Sequence, residues 1–400
     1  MARTCIEWEP GPSAVARNNP PRILHITKVP PSDSGIARHA GAFDRALDQI
    51  GPRETLGLAV DAAGTQRLRS VVKLALAARR RVRSGHVDLV VVDLSGRALA
   101  ELYAACLLCA ARRAPRVWLV AHDAPDLVGA SMLFSIFDRR GGRRVGMALS
   151  GSIGRRVERW LLSSADMVLT FSNMGAQSLS ARCSHSRVRP IPLPIDRLPD
   201  LPKDPAVYCP ARLSADDLDP VLTAFETGSI PSRFRLRVGN LSESERHRVE
   251  QRFRAVGLGH RLEFTGFLDQ AGLDRSYATA TAVIRLRSRT SSPANLAAAS
   301  GPILSGLAAG CAVASNDARG SAACLDIAGV NLVGEDGTFA EQLAQLLADP
   351  SRLNRLAVAA RAHVEATHAP ARVARYLQAI LDQPNLGRFD SRIPVIDGSG

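Results

Sequence analysis

The chain has 400 residues, 46% apolar and 22% charged, with 31 glycines and 24 prolines, a length that predicts two domains and a composition that excludes collagen-like and low-complexity classes. Its best apolar stretch, residues 98–111, contains Glu101 and falls short of the ~18 residues of a membrane span; residues 1–20 lack the apolar run of a secretory signal. The formal charge of +13 is one-sided, +12 over residues 1–200 and +1 over residues 201–400, so a basic first half is expected to meet something anionic.

Taken in chain order, strands are predicted at 22–27, 55–60, 88–93, 116–121, 167–171 and 187–191, with amphipathic helical patterns at 36–50, 67–83, 98–113 and 174–182. Residues 190–205 then carry six prolines in sixteen positions. Proline lacks an amide donor and fixes φ, so this stretch reads as a semi-rigid linker. The second half repeats the scheme, with strands predicted at 206–209, 234–238, 261–264, 282–286, 311–315 and 330–333 and closing helices at 339–347, 351–365 and 371–381. Strands alternating with helices predict an α/β chain of two Rossmann-like, doubly wound parallel-sheet domains facing each other across a cleft. The expected organisation is a flexible N-terminus (1–20), a basic N-terminal domain (21–195), a C-terminal domain with closing helices (196–383) and a tail (384–400). Cys106 and Cys109 form a C-x-x-C inside an apolar helical run, which reads as structural thiols and suits a reducing cytoplasm.

The chain has no P-loop, no G-x-G-x-x-G, no G-x-S-x-G elbow and no H-E-x-x-H, so NTPase, simple dehydrogenase, serine hydrolase and zincin readings lose support. Gly35 follows the first strand and opens a helix, which suits either a close backbone approach to an anion or a plain capped turn. His122-Asp123 ends the fourth predicted strand, where a polar pair binds sugar hydroxyls or moves protons; a helix cap at Asp123 competes. Arg212 follows the seventh strand as either a diphosphate clamp or a solvated loop arginine. Asp217-Leu-Asp219 matches the D-x-D of metal-dependent sugar transferases but opens a helix, and the helix reading is preferred. Arg285, Arg287 and Arg289 precede Ser300-Gly301-Pro302, which reads as a helix start that Gly310 terminates, a suitable seat for a pyrophosphate.

In order and spacing, G-I-x-x-H after the first strand, His122-Asp123, Ser-Ser-Ala-Asp-Met-Val-Leu-Thr-Phe-Ser, Ala-Arg-Leu-Ser, Phe-Thr-Gly-Phe-Leu and Gly-Leu-Ala-Ala-Gly-Cys-Ala-Val-Ala-Ser resemble the GT-B glycosyltransferases. The closest group is the retaining family-four type, and the resemblance runs from Ile23 to Leu381. It implies Gly35 near donor phosphate and acceptor, His122 on the transferred sugar as the catalytic contact, and Arg212 clamping the diphosphate. Ser300 and Gly301 would offer amides to that diphosphate. It implies a nucleotide-sugar as substrate and neither cofactor nor metal, since arginine and the helix dipole supply the positive field. The family's lysine after the arginine is replaced by Asp216 and Asp217, and its two glutamates by Ala297 and Ser305. Arg287 or Arg289 would stand in for the lysine's charge, and Ser305 is carried over at the donor site.

Residues 137–162 place Arg139, Arg140, Arg143, Arg144, Arg155 and Arg156 beside Phe137, Met147 and Trp160. Such a segment suits an anionic membrane surface or the acceptor face, unless its glycine pairs break the helix and leave a solvated insertion. Nucleic acid is disfavoured, because aromatic residues at 4% provide few stacking platforms. The expected function is sugar transfer to a glycan or polyprenyl-linked acceptor in bacterial surface polysaccharide synthesis. The protein would be cytoplasmic, peripheral on the inner face of the plasma membrane. A non-catalytic glycosyltransferase-like binding or scaffold protein is the alternative.

Overall fold

The computed structural model describes residues 19–29, 35–59, 68–94, 99–111, 115–122, 143–182, 187–210, 214–227, 230–239, 241–286, 301–316, 329–331 and 339–382. These residues form two compact units, 19–194 with 370–382, and 195–369.

The first unit is built on a six-stranded parallel sheet of β1 (Ile23–Val29), β2 (Arg53–Ala59), β3 (Leu89–Leu94), β4 (Arg116–Ala121), β5 (Met167–Thr170) and β6 (Val188–Pro190), in the order β2-β1-β3-β4-β5-β6. Five helices follow its strands: α1 (Gly35–Asp48), α2 (Leu68–Arg83), α3 (Leu99–Ala110), α4 (Arg143–Ser164) and α5 (Asn173–Ser180). A parallel sheet covered on both faces needs apolar residues in succession. The β3 run Leu-Val-Val-Val-Asp-Leu is buried at every position. One face packs Leu24, Ile26, Val90 and Val92 against α2 and α3, and the other packs Ile23, Leu89, Val91 and Trp118 against α1.

The second unit repeats the plan with β7 (Asp204–Cys209), β8 (Arg235–Gly239), β9 (Leu262–Gly266), β10 (Ala280–Arg285), β11 (Ala312–Ser315) and β12 (Gly329–Asn331), in the order β12-β11-β10-β7-β8-β9, all parallel. Its helices are α6 (Ala215–Glu226), α7 (Glu243–Ala255), α8 (Gln270–Thr279), α9 (Gly301–Ala308), α10 (Phe339–Ala348) and α11 (Pro350–His363). Each of the twelve predicted strands is present, with ends displaced by a few residues.

Three local outcomes separate readings that the sequence left open. The α4 helix runs unbroken for 22 residues through Gly146, Gly151 and Gly154, while the pair Gly141-Gly142 lies outside the described residues. Asp217 closes a capping box with Ser214, each side chain accepting the other's backbone N–H, and Asp219 pairs with Arg252. The D-x-D pattern is therefore the start of α6. Cys106 and Cys109 lie in α3, where burial pushes their thiols up to about 11 and about 12, which leaves little thiolate at neutral pH.

The closing helix predicted at 371–381 is α12 (Pro370–Asp382), which packs on α1 in the first unit rather than on the second sheet. Its apolar stripe Val373, Leu377 and Leu381 joins Phe43 and Leu47 of α1 in one core. The proline-rich segment before β7 is neither helix nor strand, as expected, and is pinned within the second unit by Ile195 N–H to the His368 carbonyl and Leu198 N–H to the Ala308 carbonyl.

Gly310 ends α9 with φ of +64°, and the N–H groups of Gly310 and Cys311 return to the carbonyls of Leu307 and Gly306, a Schellman cap. A Cβ at this position would lie 2.2 Å from Nε of Arg361, whose guanidinium grips Asp200 at 2.6 and 2.8 Å. Gly310→Ala should cost roughly 1–2 kcal/mol from the left-handed backbone and the displaced arginine. Urea unfolding checks this; an unchanged midpoint would refute the cap.

Candidate functional site

Ligands of open α/β sheets bind beyond the carboxyl ends of the strands, where the strand order reverses. In the first sheet that point lies between β1 and β3. The register pairs Ile26 with Val92, so Thr27 and Asp93 come next along the two strands. Thr27 Oγ1 donates to Asp93 Oδ2 at 2.5 Å. His25 Nε2 stands 3.3 Å from the same oxygen, and His122 Nε2 stands 3.4 Å from Asp93 Oδ1. His122 is held at the end of β4 by its N–H bond to the Leu94 carbonyl, and its ring leans on Phe171 at 4.9 Å between centroids.

The network continues beneath the site. His25 Nδ1 meets Asp44 Oδ1 of α1 at 2.6 Å, and Asp44 is also 3.0 Å from Arg53 and accepts from Thr55. Burial disfavours a charged imidazole at His25, but the charge of Asp93 and the contacts with both carboxylates outweigh it and raise its pKa to about 9. Burial likewise pushes Asp93 up, and the two histidines overcome this, holding its carboxyl well below the usual range. Acidic and basic groups thus alternate from Arg53 through Asp44 and His25 to Asp93, so the buried His25–Asp93 pair has each partner set beside an opposite charge.

In the second sheet the reversal lies between β7 and β10, and α9 crosses from β10 to β11. Gly301 is its first residue, as read from the sequence. Ser305 is fully buried, and its hydroxyl donates to the Gly301 carbonyl at 2.8 Å, four residues back in the same helix. Gly35 is the first residue of α1. Arg155 and Arg156 are exposed on α4.

Arg212, Arg287, Ser300, Arg139 and Arg140, with Asp123, Arg289 and Ala297, lie outside the described residues, as do the side chains of Arg143 and Arg144. Among the predicted site residues the structure therefore brings His122 into a built network and leaves Ser305 inside its helix. Sequence reasoning missed His25, Asp44 and Asp93. The available signal was a histidine and an aspartate interrupting two otherwise apolar strands, Ile-Leu-His-Ile and Leu-Val-Val-Val-Asp-Leu.

Residues 237–379 match a family model described as glycosyl transferase-like. Among solved structures, Anabaena HepE in complex with UDP and glucose aligns with a TM-score of 0.61 at 16% identity, over 91% of this chain and 100% of that one. Sucrose-phosphate synthase from Thermosynechococcus elongatus gives 0.64 at 16% identity, over 91% and 98%. The apo form of the lipopolysaccharide outer core galactosyltransferase WaaB gives 0.52 at 11% identity, over 90% and 99%. No curated protein matches the chain by sequence. The fold is that of the GT-B glycosyltransferases, and the match to the glycosyl transferase-like model spans β8 through most of α12. Among the described residues no helix is long and apolar enough to cross a membrane.

Proposed function

We propose that this protein transfers a sugar from a nucleotide-activated donor to a glycan or polyprenyl-linked acceptor, in the synthesis of bacterial surface polysaccharide. The observation that carries the reading is His122, whose Nε2 stands 3.4 Å from a buried carboxylate at the strand-order reversal of the first sheet in a chain with the GT-B fold. A nucleoside diphosphate leaves in such a reaction, so the main demand is to stabilise its growing negative charge. Arg212 and Arg287 supply cations for this, and Ser300 and Gly301 supply helix-start amides, with no metal. The resemblance of the motifs to the family-four enzymes implies retention. UDP or UDP-sugar in several structural neighbours supports the donor class.

A panel of nucleoside diphosphates and nucleotide sugars tests the donor site by thermal shift. A bound nucleotide at a hundredfold excess over its Kd should stabilise the protein by about 2.7 kcal/mol, and Arg212→Ala should remove the gain. No response to any nucleotide would sink the donor assignment. One observation favours the non-catalytic alternative. Ser305, at a position where the family carries a carboxylate, has its hydroxyl bonded back into α9. On that reading a nucleotide stabilises the protein, yet no donor turns over with any acceptor.

The acceptor side of the proposal places α4 on an anionic membrane surface at the cytoplasmic face. Arg155, Arg156 and Arg159 are exposed on it beside Trp160, which is 40% exposed, while Leu161 and Leu162 are buried. Each arginine near such a surface contributes on the order of 1 kcal/mol. Liposome flotation should therefore require anionic lipid, weaken with salt, and drop when the three arginines become serine. Equal binding to neutral vesicles would count against it.

A further inference from the structure

We infer that Asp93 is a positioning residue for His122: its carboxylate takes the Nε2 edge of that ring and leaves Nδ1 as the nitrogen presented to a sugar hydroxyl. The inference rests on the proposed place of His122 at the transferred sugar.

Two histidines share this one carboxylate, and geometry assigns them different work. His25 is fully buried with both nitrogens engaged, Nδ1 by Asp44 and Nε2 by Asp93. It has no edge left for a ligand. Among the described residues His122 has a carboxylate beside Nε2 alone; that atom is sealed from solvent, while the side chain as a whole is 11% exposed. Its open edge is therefore the one away from Asp93.

An imidazole nitrogen facing a carboxylate oxygen must carry the proton, because two lone pairs repel. The pairing thus selects the Nε2–H tautomer and makes Nδ1 a hydrogen-bond acceptor. Oδ2 is committed to Thr27 and His25, so Oδ1 is the oxygen available to His122. At 3.4 Å the contact has not closed into a hydrogen bond. Such contacts tighten when substrate draws the ring into place. The backbone bond to Leu94 and the Phe171 ring restrict how far it moves.

His25 completes the device from below. Its positive charge, set by Asp44 of α1 and Asp93 of β3, with Arg53 of β2 behind Asp44, balances the carboxylate. Removing that charge by deprotonation would loosen Asp93 and, through it, His122.

The test is NMR of the full chain carrying nitrogen-labelled histidine, with His25→Gln and His122→Gln variants to assign the two rings. In the wild-type protein His122 should be the Nε2–H tautomer, and in Asp93→Asn the tautomers should redistribute. Asp93→Asn should also lower kcat roughly 100-fold while the donor KM moves much less, and its activity should fail at lower pH on the alkaline side. Asp93→Glu should recover part of the loss. His122 protonated at Nδ1 in the wild type, or an unchanged tautomer in folded Asp93→Asn, overturns the inference. Should Asp93→Asn fail to fold, the wild-type tautomer decides alone. A wild-type protein that ignores every nucleotide defeats the proposed function instead, and leaves the tautomer result standing.

Discussion

Asp93→Ala should lower the unfolding free energy by about 3–5 kcal/mol, the cost of removing one partner from a buried charge pair. The side chain is only 4% exposed and stands between Thr27, His25 and His122, so nothing replaces it when it goes. The loss also has a pH signature. The His25 pKa is raised from 6.5 to about 9, so its contribution is complete below 6.5 and disappears as pH rises through 9. Asp93 is shifted the other way from 3.8, so its contribution is present above that value and disappears as pH falls through the depressed one. The gap between wild type and variant is therefore widest between 3.8 and 6.5 and narrows above 9. Urea unfolding in that window and again above pH 9 measures both effects. A gap below about 1 kcal/mol, or one that does not vary with pH, would show that the network is not ionised as described.

Gly306→Val should be nearly as damaging, at about 3 kcal/mol, the upper end for overpacking a core. Even a bare Cβ at 306 would sit 2.9 Å from Val313 and 3.0 Å from Val283, and both valines are fully buried. The glycine is what allows α9 to lie directly on β10 and β11. A valine forces the helix outward and carries Gly301, at its start, away from the end of the sheet. Weaker nucleotide stabilisation is expected to accompany the lost stability, with Gly306→Ala showing a smaller version of both. Wild-type stability in Gly306→Val would mean that α9 is not seated this closely.

Much of the architecture was legible because each layer obeys its own period. Short runs of four to six residues between helical patterns located the strands, and Asp217-Leu-Asp219 announced the start of α6. The site was less legible, for reasons that particular residues make plain. His25 and Asp93 belong to strands far apart in the chain, and only the β1–β3 register brings them to one carboxylate. Asp44 reaches His25 from the face of α1, a geometry that periodicity alone does not order in space. Ser305 was placed by its match to a family position. A serine is too short to extend beyond the helix surface and satisfies itself on the carbonyl one turn back. The final helix was misassigned because adjacency in sequence favoured the second sheet, whereas its stripe fits α1.

That last helix has a consequence for biosynthesis. The core of the first unit includes Val373, Leu377 and Leu381, so the whole second unit, residues 195–369, is translated before those residues exist. A ribosome that has finished β6 has produced every strand of the first sheet, yet Phe43 and Leu47 of α1 still lack their cover. The nascent N-terminal half must wait with that greasy seam open until residues 370–382 have been made. It is during this interval that a chaperone, or a neighbouring nascent chain, has its opportunity to bind.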